Sequence, residues 1–177
     1  MQVRHAQQDS MKVRIEPVDI TKKIALANLL ELYQHDLSDI ENSKVELDST
    51  GRYGYKHLDA YWEEKGRFPF FIFADNTLIG FVLVNEQYYI SKGAKTIAEF
   101  FVLKKYRRQG IGEEAAKQIF SLFPGRWEIG ELRGNKNAQS FWRKIIGDYT
   151  KGNYKEIELD NERWHGPIQT FDAGNSG

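Results

Sequence analysis

The stretch Glu99-Phe-Phe-Val-Leu-Lys-Lys-Tyr-Arg-Arg-Gln-Gly-Ile-Gly112 decides how this chain is read. It opens on four consecutive apolar residues, Phe100 to Leu103, the mark of a buried strand end. Lys104, Lys105, Arg107 and Arg108 follow as a basic turn. Beyond the two glycines, Ile111, Ala115, Ile119 and Leu122 recur at helical spacing until Pro124-Gly125 stops them. A strand therefore runs through a basic turn into a helix that starts on glycine. A helix N-terminus offers unpaired N–H groups and a partial positive charge. Glycine lets that backbone approach an anion without a Cβ in the way. With four cations beside it, the junction predicts a phosphate or pyrophosphate site. The spacing is neither the six-residue glycine span of a dinucleotide fold nor the Gly-Lys-Ser/Thr of a P-loop, which argues against NAD and ATP.

Outward from this junction the pattern extends both ways. Residues 12–17 alternate polar and apolar as a strand stopped by Pro17. Leu26, Leu29, Leu30, Tyr33 and Leu37 mark a first helix, with Asp19 or Thr21 as its cap. Residues 55–64 read as a second helix. Residues 69–74 and 78–85 form a hairpin about Asp75-Asn76, and residues 96–103 are a third strand of this group. After the junction helix come a strand over 127–132 and a helix marked by Ala138, Phe141, Trp142, Ile145 and Ile146. Residues 149–159 and 166–171 close the pattern as strands. The order β-α-α-β-β-β-α-β-α-β-β predicts an α/β (α+β) layer domain with one strand–helix–strand crossover. One domain is expected over residues 12–172, with residues 1–11 and 173–177 as disordered ends.

Composition narrows the function. The 177 residues hold no cysteine, so disulfides, thiolate metal sites and a cysteine nucleophile are excluded. Four widely spaced histidines suggest no metal site. With 25 basic and 25 acidic side chains, a generic nucleic-acid coat is not expected. The apolar runs are too short to span a bilayer and no apolar leader is seen near Met1, so neither membrane nor export is expected and the chain is placed in the cytoplasm.

The run Arg107-Arg108-Gln109-Gly110-Ile111-Gly112 resembles motif A of the GNAT (GCN5-related) N-acetyltransferase superfamily, which reads Arg/Gln-x-x-Gly-x-Gly/Ala between a strand and a helix. Asn135-Lys-Asn-Ala138-Gln-Ser-Phe-Trp-Arg-Lys144 resembles a second family pattern, Asn-x-x-Ala followed by an aromatic pair and Lys. The resemblance covers residues 12–172. It implies the GNAT fold, a mixed central sheet of six to seven strands flanked by about four helices. It implies acetyl-CoA as cosubstrate, with no metal, and direct acetyl transfer to a primary amine. Residues 99–103 would splay from residues 127–132. Backbone groups of Phe101, Val102 and Leu103 would pair with the pantetheine arm. Gln109, Gly110, Ile111 and Gly112, with Arg107 and Arg108, would hold the pyrophosphate. Asn135 or Asn137 would contact the pantetheine or cap the last helix, and Phe141 would line the cofactor or pack in the core. The resemblance also admits a homodimer.

Transfer to an amine needs a base, a polarised carbonyl and a protonated leaving thiolate. Glu99 is the candidate base. The family's usual helix Tyr is replaced by Trp142, whose indole donates but does not titrate. That leaves Tyr149, a water or unassisted departure, and it raises the alternative of a non-catalytic acyl-CoA or metabolite-binding module. Residues 31–64 carry nine acidic and three basic side chains, and residues 104–144 carry ten basic and four acidic. The acidic segment suits a small cationic acceptor, with Tyr33 and Asp36 as its preferred contacts. Nucleic-acid binding through the basic turn is a weak third reading, because no aromatics are interleaved with the cations.

Overall fold

In the computed structural model, residues 11–40 and 43–174 are described. The expected N-terminal extension, residues 1–10, lies outside them, as do residues 175–177 of the expected tail. Met11 packs against the core, and Ala173 pairs in a strand with Gly125, so the folded unit reaches one residue beyond the expected bounds at each end.

The elements in chain order are β1 (Val13–Pro17), α1 (Lys23–Ser38), α2 (Ala60–Glu63), β2 (Arg67–Ala74), β3 (Thr77–Asn85), β4 (Thr96–Val102), α3 (Ile111–Leu122), β5 (Gly125–Gly130), α4 (Lys136–Thr150), β6 (Lys155–Asp160) and β7 (His165–Ala173). This is the order expected from the periodicities. Most boundaries shift by a residue or more, and two of the helix shifts matter most. The second helix shrinks to four residues, because the chain from 56 to 59 makes turns that start at Tyr55 C=O. The last long helix runs on to Thr150 before Lys151 turns it in the left-handed region, so Tyr149 is helical. Asp19 caps a short 3₁₀ turn ahead of α1 through the Thr21 N–H at 2.9 Å.

The seven strands form two antiparallel sheets, β1-β2-β3-β4 and β5-β7-β6. Between them stands a single parallel bridge, Lys95 to Trp127, where Lys95 N–H donates to Arg126 C=O and Lys95 C=O accepts from Glu128 N–H, both at 2.9 Å. The strands diverge beyond it. Alternation along β2–β4 sends side chains to two cores. One face packs Ile79, Val82, Val84 and Val102 with α3 and α4 around fully buried Trp127 and Phe120. The other packs Phe71, Phe81, Leu83 and Phe101 against Leu26, Leu29 and Leu30 of α1 and Tyr61 of α2. At Gly80, strands β3 and β4 come so close that an added Cβ would sit 2.0 Å from the Phe101 carbonyl oxygen, which excludes every larger residue there. Among the described residues no helix is long and apolar enough to cross a membrane.

Candidate active site

The gap between β4 and β5 exists because, among the described residues, their ladder contact is confined to Lys95. Leu103 N–H donates to Ile79 C=O at 2.8 Å, so by antiparallel alternation the backbone groups of Phe101 and Glu99 also face β3. Those of Phe100 and Val102 face the gap. Val102 C=O accepts from Arg107 Nε at 2.6 Å, which leaves the Val102 N–H and both polar groups of Phe100 open among the described residues. Of the three residues expected to offer backbone there, only Val102 does.

The turn after β4 folds into a cradle of backbone N–H groups. Arg108 and Gly110 adopt left-handed conformations, with φ of 61° and 76°. Such a sequence of turns aims successive N–H groups to one side. Among the described residues, the N–H groups from Arg108 to Glu113 find no acceptor. Gly110 is placed where a left-handed residue is needed, and Gly112 where a Cβ would meet the Phe141 ring at 3.1 Å. Phe141 thus packs under the helix head, against Phe100 at 5.6 Å between ring centroids. Ile111 is buried in the core, and the Gln109 side chain folds back to Lys105 C=O at 2.9 Å. This cradle fits an anion such as a pyrophosphate.

The four cations divide. Arg107 binds Asp36 of α1 at 2.6 Å, and Lys104 binds the other Asp36 oxygen at 3.1 Å. Burial works against the Asp36 charge, but hydrogen bonds from Arg107 and Lys104 hold its carboxyl below the usual range. Asp36 therefore ties α1 to the cradle loop. Lys105 lies over the Tyr106 ring, 5.5 Å from its centroid. Arg108 is exposed and has no partner among the described residues.

On the α1 side the gap opens into a cavity of about 860 Å³. Glu99 stands in its wall. The Tyr33 hydroxyl donates to Glu99 Oε2 at 2.5 Å and the Tyr55 hydroxyl to Oε1 at 3.0 Å. Burial pushes the Glu99 carboxyl up, and the two tyrosine hydrogen bonds oppose that shift. Both hydroxyls are held protonated, their pKa values raised by burial first and by the Glu99 charge second. Trp142 lines the same cavity, edge-on to Phe100 at 5.2 Å, with no acceptor for its indole N–H among the described residues. Asn135 also lines it and caps α4 through the Ala138 N–H at 3.0 Å, while Asn137 is exposed. Tyr149 is not brought to Glu99. It packs on Phe120 at 5.1 Å and lines a separate cavity of about 440 Å³.

The acidity of residues 31–64 is largely committed to structure. Glu31 accepts the Tyr53 and Gly54 N–H groups, Asp48 closes a turn on Thr50 and Arg52, and Asp59 pairs with Lys23. Of these acidic residues none lines the cavity, whose wall carries Glu99 of β4 instead.

Three residues at or behind the cavity wall escaped the sequence reading, two of them in its lining. Glu128 of β5, fully buried, accepts the N–H groups of Tyr89, Ile90 and Ser91 at 2.7, 2.9 and 2.7 Å. It moulds the β3–β4 loop that carries Tyr88 and Tyr89 into the wall. Arg67, at the start of β2, lines the far end. Glu131, 3 % exposed, has no hydrogen-bond partner on either carboxyl oxygen among the described residues. Burial pushes its carboxyl up to about 8, with Gln169 and Arg143 opposing and Glu156 adding to the rise. The folded state therefore holds a proton that the unfolded state releases near pH 4.5, and stability falls as pH rises from there toward 8. Glu131→Gln removes this dependence. The expected result is a Tm advantage of the variant that grows from pH 5 to pH 8 in thermal melts. An advantage independent of pH would overturn it.

Among the described residues no cluster of three His, Asp or Glu is placed to hold a metal. No curated protein matches the sequence. Solved structures do match. An acetyltransferase from Thermus thermophilus aligns with TM-score 0.66 at 13 % identity, over 92 % of this chain and 98 % of that one. The PaiA N-acetyltransferase from Thermoplasma acidophilum, in complex with coenzyme A, aligns with TM-score 0.63 at 17 % identity, over 92 % and 99 %. An aminoglycoside acetyltransferase from an uncultured soil metagenomic sample, in complex with sisomicin, aligns with TM-score 0.58 at 18 % identity, over 84 % and 93 %. These likenesses establish a common fold. The sequence itself matches the acetyltransferase (GNAT) family over residues 26–147, a span that holds the open strand edge, the cradle, Glu99 and the capped start of helix α4. The chain is a member of the GNAT family of acetyl-CoA-dependent N-acetyltransferases.

Proposed function

We propose that this domain, acting in the cytoplasm, moves acetyl directly from acetyl-CoA to the primary amine of a small acceptor that arrives as an ammonium ion, with Glu99 as the base. The observation that carries the reading is the Glu99 carboxylate, set in the cavity wall where β4 opens from β5. Acetyl-CoA supplies an activated acetyl group. Every other part is the chain's own. The N–H groups from Arg108 to Glu113 and the Arg108 guanidinium take the pyrophosphate. Phe100 offers strand-like hydrogen bonds to the arm, and the Val102 N–H is the donor for the developing oxyanion.

Glu99 attracts the ammonium and takes its proton directly or through a water. Two of its roughly four acceptor positions are occupied by Tyr33 and Tyr55, so lone pairs remain for that proton. Its raised pKa makes it a stronger base than an exposed carboxylate. Trp142 can hydrogen-bond but has no proton to give, which supports departure of the thiolate without a protein acid. A free thiol pKa of about 8.5 makes that departure tolerable. With no cysteine in the chain, an acetyl-cysteine relay has no place in the reaction. Lys104 and Arg107 are already paired to Asp36, which supports a small anionic cofactor over a nucleic-acid backbone as the ligand of this turn.

Calorimetric titration with acetyl-CoA, paired with thiol release over a panel of amines, tests the reading. Arg108→Gln is expected to weaken cofactor binding about tenfold, since it removes one charge-assisted phosphate contact. The loss should shrink as salt is raised. No binding at millimolar cofactor would sink the proposal.

A further inference from the structure

The far end of the cavity carries a positive group that the ammonium reading does not use. Arg67 is 9 % exposed along its side chain. Its Nε donates to Glu64 at 2.7 Å, and its guanidinium lies 5.5 Å from the Tyr61 ring centroid. Its two terminal nitrogens make no hydrogen bond among the described residues, although Arg67 lines the cavity. A guanidinium has five donors in a planar fork, and here the outer prongs are free.

Register places this fork relative to Glu99. Arg67, Asn85 and Thr96 are successive cross-strand partners on β2, β3 and β4. Leu83, which pairs with Glu99, lies two residues from Asn85 and so on the same face. Arg67 and Glu99 thus stand on one sheet face, two strand spacings across and two residues along, about 12 Å apart in the backbone. Asn85 is buried between them. Its Oδ1 accepts the Gln87 N–H at 3.0 Å, and its NH₂ group lies beside the Tyr61 hydroxyl. Of the other charged residues lining the cavity, Glu86 pairs with Lys95 at 3.4 Å, Arg163 is exposed over the Tyr88 ring, and Glu131 is buried without a hydrogen-bond partner among the described residues.

One cavity therefore holds a carboxylate and, on the same face, a guanidinium with free donors. From this pairing we infer that the acceptor is dipolar: an amine that also bears a carboxylate, its acid held by Arg67 and Asn85 while its amine meets Glu99. This rests on the amine-acetylation reading and sharpens its substrate class to amino acids and their close analogues. Arg suits the planar, two-oxygen geometry of a carboxylate, and the buried setting strengthens the contact.

The test uses the full-length protein saturated with CoA for binding, and with acetyl-CoA for turnover. The probes are α- and ω-amino acids, their carboxamides and their decarboxylated amines. Amino acids are expected to bind and turn over about 10- to 100-fold better than the matching carboxamides, the factor of one charge-assisted pair. Arg67→Gln should collapse that ratio to near unity, and Arg67→Lys should keep part of it. Cofactor titration of each variant verifies that the slot is intact. Arg67-dependent binding of amino acids without turnover would leave the dipolar site standing and overturn acetyl transfer. Turnover of amines regardless of their acid group, or a ratio unmoved in Arg67→Gln, would overturn the dipolar site and leave acetyl transfer standing. Neither binding nor turnover of any probe would overturn both.

Discussion

Glu99→Gln is expected to lower kcat by about 10²- to 10⁴-fold, the usual contribution of a positioned general base, while cofactor affinity changes little. Gln keeps the volume and still accepts one tyrosine hydroxyl, so the loss reports the missing base more than a collapsed wall. The pH profile separates the two. In the wild-type protein the rate rises as Glu99 ionises, along a limb set above the usual carboxylate range by burial. That limb should vanish in Glu99→Gln. Tyr33→Phe supplies the sign test: it removes a hydrogen bond that favours the charged form, so the limb should move to higher pH. A Glu99→Gln variant with unaltered kcat and unaltered profile would exclude Glu99 as the base.

Glu128→Ala is expected to be the most destabilising change near the site. Three backbone N–H groups, on Tyr89, Ile90 and Ser91, lose a charged acceptor in the interior at once. An unsatisfied buried donor costs about 1–3 kcal/mol, and partial rehydration of the loop limits the sum to roughly 3–5 kcal/mol. For a domain of this size that is a fall in Tm of about 10 °C. Glu128→Gln retains a carbonyl acceptor and should fall between the two. The loop carries Tyr88 and Tyr89 into the cavity wall, so surviving protein should also show a raised KM for the acceptor. A Tm within about 2 °C of wild type, roughly the effect of an ordinary surface change, would contradict the clamp.

How far the site could be read from the chain follows sequence distance. The cradle is contiguous: strand end, basic turn and glycines lie within fourteen residues, and their types express local backbone needs. Asn135 as a cap is equally local, three residues from the N–H it accepts. Tyr55 meets Glu99 across 44 positions, and Arg107 meets Asp36 across 71. No periodicity carries such information. Asp36 read as a substrate contact on residue type and region, yet its helix face turns it to the cradle loop. Tyr33, one turn earlier, faces the cavity. Tyr149 has a titrating hydroxyl, but the helix continues through it and carries it to the other side of the core.

By itself the sequence determined the family, the order of elements, the basic turn and glycines after β4 and the identity of Glu99 as a carboxylate at an open strand. Each is a local property, written in side-chain period, glycine placement and charge along a few turns of chain. It also determined that acetyl could not pass through cysteine. The opposed charges of residues 31–64 and 104–144 were legible as counts, but only the folded arrangement decided where they went. Most of the acidic side chains close turns or pair with neighbours, while Glu99 and Arg67 are left facing a common cavity. A charge acts according to its partners, its burial and its distance from other charges, and those are set by contacts between residues far apart in the chain.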